Sequence, residues 1–423
     1  MMKTKFAAPL ALLALLAPAA SYALKVPIPV EGATLNVSFQ LQTQFLMQEN
    51  GAPNGNDNSY DLFIRRSRLL VNGDIGPNFS YLVQLDNANF GKKGNFSGRA
   101  VIQDAWVGWA PWGITGDNVL YIDAGLLLIP FSHNGLESTT NFITADAHTD
   151  IFRGLLNGGV FPALRDTGVQ VRGWALGKKI GFRGGVYEGY RAGSFAAGDA
   201  AAQNTNVAPN ANPQFSGFVN FDIVGSEEGG WLYGAYKWGK APILSVGAAG
   251  IYQSKVLNVA PVASKAAAGT TPAVAAGPGS LGIADQQLVS VDAYLNLPMS
   301  EAAELVAEAT VYFNRNGSNS KDTGIGFNAD VGYRFGAIAP YVGYEFFSAD
   351  SCDSTLTTAQ CAPVGTADSR NFKAGLNFFF NKNLNHLNAE LTVNHGQSAA
   401  AASNTNLTKP STKTFLLHWA TIF

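Results

Sequence analysis

Polar and apolar positions alternate with a period of two along most of this 423-residue chain. From 35 to 45, Leu35, Val37, Phe39, Leu41, Thr43 and Phe45 share one face. Asn36, Ser38, Gln40, Gln42 and Gln44 share the other. Successive side chains of a strand point to opposite faces, so this is the pattern of a sheet with one apolar and one wet side. It recurs far down the chain. Val169 and Val171 oppose Gln170 and Arg172, Val289, Val291 and Ala293 oppose Ser290 and Asp292, and Leu387, Ala389 and Leu391 oppose Asn388 and Glu390.

The alternation predicts sixteen strands, at 33–47, 60–74, 79–90, 99–111, 118–129, 166–177, 180–191, 214–224, 243–254, 286–298, 302–314, 324–335, 337–349, 370–381, 384–396 and 412–423. Short turns such as "GPN", "GKK", "FGAI" and "NKN" alternate with longer polar connectors, including the Ala/Pro/Gly-rich 255–284. A soluble sandwich also alternates, but here the apolar faces are long and the polar faces carry carboxylates, amides and arginines. A sheet immersed in lipid must close, because no water satisfies an open edge. Short turns at one end and long loops at the other fit a transmembrane barrel. The fold expected is therefore all-β, an antiparallel barrel of about sixteen strands, wide enough for an aqueous channel. The even count puts both termini in the periplasm. One connector breaks the alternation: 226–242, "SEEGGWLYGAYKWGKAP", is long but falls on the short-turn side. It reads as an ordered periplasmic insertion, the alternative being two further strands and a count of eighteen.

Composition narrows the class. The opening 23 residues have Lys3 and Lys5, an apolar run from Phe6 to Ala20 and the small residues of Ser21-Tyr22-Ala23, which together read as a secretory signal peptide. Residues 24–423 then form one barrel domain. No later run reaches 18 apolar residues, so no helical span is expected. Formal net charge is −2, which gives no sign of a nucleic-acid partner. Cys352 and Cys361 are the two cysteines of an exported chain and are expected to form a disulfide closing a small loop. The C-terminal strand ends on Phe423, an apolar edge that suits pairing with the first strand of a barrel.

The connector after the fifth strand, 130–165, holds Phe131, Phe142, Ile143, Ile151, Phe152, Leu155, Leu156, Val160 and Phe161. A freely solvated loop has no use for so many apolar residues. The reading is a pore loop folded into the barrel, with Phe131, His133, Glu137, Asp146 and His148 among its residues; the alternatives are a cap on the rim and a subunit contact.

Several stretches resemble the phosphate-selective porin O/P family of bacterial outer-membrane porins. They are "RRSRLLVNGDIGPNFSYLVQLD" (65–86), "DAWVGW" (104–109), "DAGLLLIPFS" (123–132) and "LRDTGVQVRG" (164–173). The terminal Phe423 is similar to the C-terminal signature such proteins present to the barrel-assembly machinery. The resemblance implies a trimeric barrel in outer-membrane lipid that passes ions and small hydrophilic solutes by diffusion, with anion or phosphate preference in the named members. That preference rests on clustered cations, and here the inward faces are mixed. The pore-lining candidates are Arg66, Arg68, Asp86, Asp123, Arg153, Arg165, Arg172, Arg183, Asp292, Glu308, Arg334 and Lys373. Asp222, Glu304, Asp330 and Glu390 add to the acidic side of that count.

Two other classes make different demands on the chain. A barrel hydrolase needs an activated nucleophile. The five histidines, His133, His148, His386, His395 and His418, form no metal-binding pair, and no glycine-flanked elbow serine is present, so neither enzyme activity nor a cofactor or metal is expected. A structural or adhesive barrel predicts no conductance. Finally, "LFIRRSRLLV" (62–71) puts three arginines within four positions of one strand. Strict alternation sends Arg66 and Arg68 inward and Arg65 outward, near the membrane interface, where an arginine costs about 0–1 kcal/mol rather than the 2–4 of the midplane. The alternative is a bulge that turns all three inward.

Overall fold

A computed structural model describes residues 24–114, 119–148, 164–189, 206–207, 212–227, 231–239, 241–262, 277–316, 323–350, 368–396 and 411–423. The leader at 1–23, Arg153, Cys352 and Cys361 fall outside the described residues. Among the described residues eighteen strands are formed: β1 Leu24–Lys25, β2 Asn36–Gln48, β3 Ser59–Ile75, β4 Phe79–Phe90, β5 Val101–Trp109, β6 Val119–Leu128, β7 Arg165–Ala175, β8 Ile180–Tyr187, β9 Asn206–Val207, β10 Gln214–Val224, β11 Ile243–Val262, β12 Gly277–Ser300, β13 Ala303–Asn316, β14 Gly324–Phe335, β15 Ile338–Ala349, β16 Ser369–Asn381, β17 Asn385–Gly396 and β18 Ser411–Ile422. Two of these, β1 and β9, are two-residue pieces laid against β2 and β11. The other sixteen close an antiparallel barrel, in which each strand pairs with the next, β8 pairs with β10, and β18 returns to β2. At the seam, Phe39 and Phe423 exchange both backbone hydrogen bonds, at 2.8 and 3.1 Å.

The alternation read from the sequence sorts the faces as expected. Val169, Val171, Phe215, Val219, Phe221, Val289 and Val291 point outward and are 41–55% exposed. Apolar exposure on this scale would be a liability in water and is what lipid requires. Gln40, Gln42, Gln44, Arg172, Asp292 and Glu390 point inward. Among the described residues no helix is long and apolar enough to cross a membrane.

Three features differ from the simple reading. First, much of 255–284 is not loop. Strands β11 and β12 extend to Val262 and Gly277 and stay paired to those ends. A two-stranded ribbon satisfies its own backbone, so pairing continues past the membrane thickness that set the expected length. Second, 226–242 adds no wall strand. It turns into the barrel, where Tyr233, Ala235 and Tyr236 are buried. Third, Arg65 does not face outward. In the β2–β3 register Gln42 pairs with Arg66 and Thr43 with Ile64, so Arg65 is an unpaired extra residue. The β3–β4 ladder likewise passes from Ile64 to Arg66, opposite Asn89, whose φ is 59°. This bulge lets Arg65 and Arg66 face inward together, and it puts Phe63 inside as well, 4% exposed.

Candidate functional site

The interior has two unlike halves. On the β3–β8 side the wall presents arginines, and those of β3 and β7 are held by carboxylates. Asp146, from the inward loop, accepts from Arg65 Nε at 2.7 Å and Arg66 Nη2 at 2.8 Å. Burial opposes the Asp146 charge, but the two guanidinium groups outweigh it and hold the carboxyl well below the usual range. Arg68 pairs with Asp86 at 3.1 Å and also donates to Thr139 Oγ1 of the loop at 2.9 Å. Arg165 pairs with Asp104 at 3.1 Å. Arg172 pairs with Asp123 at 2.6 Å, and its guanidinium lies 4.0 Å from the Tyr121 ring centre and close to Trp106 and Trp231. Aromatic faces suit a planar cation, so these rings fix the arginine without neutralising it.

A cavity of about 600 Å³ runs along this wall. Its lining includes Arg65, Arg66, Arg68, Arg165 and Arg172, with Asp74, Asp86, Asp104, Asp146 and Glu137. On β3 alone the lining reaches from Arg65 to Asp74, a rise of about 30 Å along the strand at 3.4 Å per residue.

The opposite half is filled. The inward loop after β6 and the 226–239 segment meet there through backbone hydrogen bonds. Tyr233 N donates to Leu136 O at 2.8 Å, Ser138 N to Tyr233 O at 3.0 Å, and Ala235 N to Asn141 O at 3.0 Å. Apolar side chains pack around the junction, among them Phe131, Leu136, Tyr233 and Phe218 in one cluster and Ile143, Tyr236, Tyr294 and Phe379 in another. The wall carboxylates on this side are consumed in holding the two segments. Asp292 accepts from His133 N at 3.0 Å, Glu390 from Ala145 N at 3.1 Å, and Glu304 from Trp238 N at 3.0 Å. His148, at the end of the described part of the loop, lies 2.5 Å from Asp330 and 3.3 Å from Glu345, with Lys373 Nζ 3.2 Å from its Nδ1. Burial lowers the imidazole pKa, but Asp330 and Glu345 outweigh both that and Lys373 and raise it to about 10. Arg334 is spent on Glu304 at 2.6 Å, under Trp238.

Residues 35–215 match the family model described as phosphate-selective porin O and P. The match spans 181 of the 423 residues, and over that stretch the chain is similar to the family. Solved structures agree on the barrel fold. OmpF of Salmonella typhi, in complex with daunomycin, is 11% identical, with a TM-score of 0.56 over 95% of this chain and 100% of that one. The outer-membrane channel DcaP of Acinetobacter baumannii is 12% identical, with a TM-score of 0.53 over 95% and 100%. OprB of Pseudomonas putida, at high pH, is 8% identical, with a TM-score of 0.56 over 92% and 94%. No curated protein sequence matches. The likeness to these structures is one of fold, a closed antiparallel barrel.

The candidates read from the sequence separate into three sets. Arg66, Arg68, Asp86, Arg165 and Arg172 border the cavity, as do Glu137 and Asp146 of the loop. Asp123, Arg183, Asp292, Glu308, Arg334 and Lys373 are inward and buried but do not border it. Phe131, His133 and His148 are packed between loop and wall. Sequence reasoning placed Arg65 outward with a bulge as its alternative, and it missed Asp104, Glu227, Glu345 and the aromatics Trp231 and Tyr233. The aromatic content of 226–242 was the available signal for the last two.

Glycines position several of these groups. Gly108, Gly247 and Gly343 lie directly across the ladder from Asp123, Asp292 and Asp330. A Cβ at each glycine would collide with the facing carboxylate. The missing side chain lets the aspartate lie flat over the neighbouring strand. Gly326 and Gly375 do the same for Tyr312 and Tyr341.

Proposed function

We propose that the protein conducts small hydrophilic solutes by passive diffusion along the β3–β8 wall, and that small anions, inorganic phosphate among them, are favoured there. The observation that carries this reading is the segregation of charge. The carboxylates that made the inward faces look acidic, Asp292, Glu304, Glu308, Asp330 and Glu390, hold the two inward segments and do not border the cavity. What borders it is a set of five arginines with carboxylates of equal number. Those arginines keep their donors in fixed, planar forks, the form suited to oxyanions. Asp86, Asp104 and Asp146 are each paired with these arginines, so along that stretch an anion meets neutralised pairs with N–H edges. This favours transient contact over tight phosphate capture.

The family's name supports the phosphate part of the reading, and family and fold support a channel rather than an enzyme. A homotrimer, capture of Phe423 by the barrel-assembly machinery, removal of 1–23 on export and a Cys352–Cys361 disulfide belong to the same proposal. Proteoliposome swelling tests it with anionic, neutral and cationic solutes of matched size. Faster entry of the anions supports the arginine passage, and faster entry of the cations refutes it.

A further inference from the structure

Where the inward loop crosses β13, three buried polar atoms face one another with no hydrogen-bond partner: His133 Nδ1, Glu137 Oε1 and Glu308 Oε2. His133 Nδ1 is 3.7 Å from the Glu137 oxygen and 3.6 Å from the Glu308 oxygen, too far for hydrogen bonds to either. All three atoms lie within 4.8 Å of one another. The residues are 2%, 4% and 5% exposed, so the three atoms are withdrawn from bulk solvent.

Everything around the three atoms aims them at a common point. The imidazole is held between the rings of Tyr233 and Tyr294, with centroids at 4.9 and 4.7 Å. Its other nitrogen, Nε2, is 3.0 Å from both oxygens of Glu227, which Lys237 Nζ braces at 2.9 Å. A carboxylate on Nε2 places the proton there and leaves the Nδ1 lone pair directed inward. Asn134 Nδ2 donates to Glu308 Oε1 at 3.0 Å and reaches Glu137 Oε2 at 3.5 Å. One oxygen of each carboxylate is thus occupied, and the second is turned to the imidazole. Glu137, Glu227, Glu308 and Asp292 also outnumber the cationic groups packed against them, Lys237 and His133.

We infer that His133 Nδ1, Glu137 Oε1 and Glu308 Oε2 bind one divalent transition-metal cation, fastening the inward loop to strand β13. One imidazole and two carboxylates form a donor set that suits Zn²⁺. Tetrahedral zinc with bonds of about 2.0–2.1 Å sets its ligands roughly 3.3–3.4 Å apart, so the pairs at 3.6 and 3.7 Å need to close by only a few tenths of an ångström. The cation would join the loop to the wall directly and to the 226–239 segment through Glu227.

The test uses the folded, untagged protein, identified by its heat-modifiable migration, equilibrated with Zn²⁺ in about tenfold excess and then desalted. About one Zn²⁺ per chain is expected by elemental analysis, with loss in Glu137→Gln and Glu308→Gln and retention in Glu390→Gln. Glu137→Gln lies on the loop and leaves the barrel wall intact, so it serves if the wall variant fails to fold. Chelation should also increase open-channel current noise in the wild type and leave Glu137→Gln unchanged. A folded wild type that retains no Zn²⁺ would show that a shared proton fills the site and would overturn the inference. Retention equal in wild type and Glu137→Gln would overturn it too.

Discussion

Arg65 is the residue at which the structure departs most sharply from strict alternation, and it offers a quantitative test. Its guanidinium and that of Arg66 share Asp146, and the Arg65 and Asp146 side chains are 22% and 24% exposed to the cavity. Arg65→Ala removes one positive charge from the passage and leaves Asp146 with Arg66 alone. A unit charge about 6 Å from a permeating ion in water is worth about 0.7 kcal/mol, and a Debye length of about 8 Å roughly halves it. The effect acts with opposite sign on anions and cations, so the anion-to-cation permeability ratio should fall by about threefold. The assay is the reversal potential of single channels under a KCl gradient, compared with Arg66→Ala and Arg68→Ala, which should give shifts of similar size. Arg65→Cys should react with a water-soluble thiol reagent applied to the open channel. An unchanged reversal potential together with labelling only by a lipid-soluble reagent would show that Arg65 faces the membrane and that the bulge is wrong.

Other consequences follow from the same geometry. Asp146→Asn frees both guanidinium groups and should shift the reversal potential toward chloride, the opposite direction to Arg65→Ala. Trp231 borders the cavity and packs on Trp106 at 4.5 Å, so Trp231→Ala should raise single-channel conductance, and an unchanged value would mean that ions do not pass beside it. Gly343→Ala should destabilise the barrel by about 1–3 kcal/mol in urea unfolding from lipid vesicles, since its Cβ meets the Asp330 carboxylate. Gly217→Ala, whose Cβ meets only one backbone oxygen at 3.6 Å, should be neutral or slightly stabilising. The His148 pKa is raised from 6.5 to about 10, so its charge contributes stability that is fully present below pH 6.5 and is lost as pH rises through about 10. Thermal midpoints between neutral pH and pH 11 should therefore fall more steeply in the wild type than in His148→Gln.

The barrel itself was legible because closure in lipid leaves few alternatives to an alternating chain. The outward Val289 and Val291 and the inward Asp292 could be assigned from period two alone. The same rule misplaced Arg65, because it has no term for an inserted residue; the adjacent pair Arg65-Arg66 was itself the hint that two neighbours wanted the same side. The direction taken by 226–242 was hidden for another reason. Aromatic and glycine-rich sequence serves equally for a periplasmic insertion and for a segment packed inside. The charge balance of the channel was hidden most deeply. Facing inward and facing the passage are different properties once two segments fill half the lumen, and Asp292 and Asp330 have the first without the second. The grouping of His133 and Glu137 with Glu308 required the fold, since the loop and β13 are distant in sequence.

The central claim is that ions pass along an arginine-bearing wall, Asp86, Asp104 and Asp146 being paired with its arginines and the carboxylates Asp292, Glu304, Glu308, Asp330 and Glu390 being spent on the two inward segments. Reversal-potential recording on the purified wild-type protein in a planar bilayer, under a KCl gradient, tests it most directly. The account predicts discrete conductance steps, a reversal potential on the chloride side, and partial, rapidly reversible reduction of the current by added phosphate. A cation-side reversal potential would contradict the charge segregation, and the absence of any conductance from the folded protein would contradict the channel.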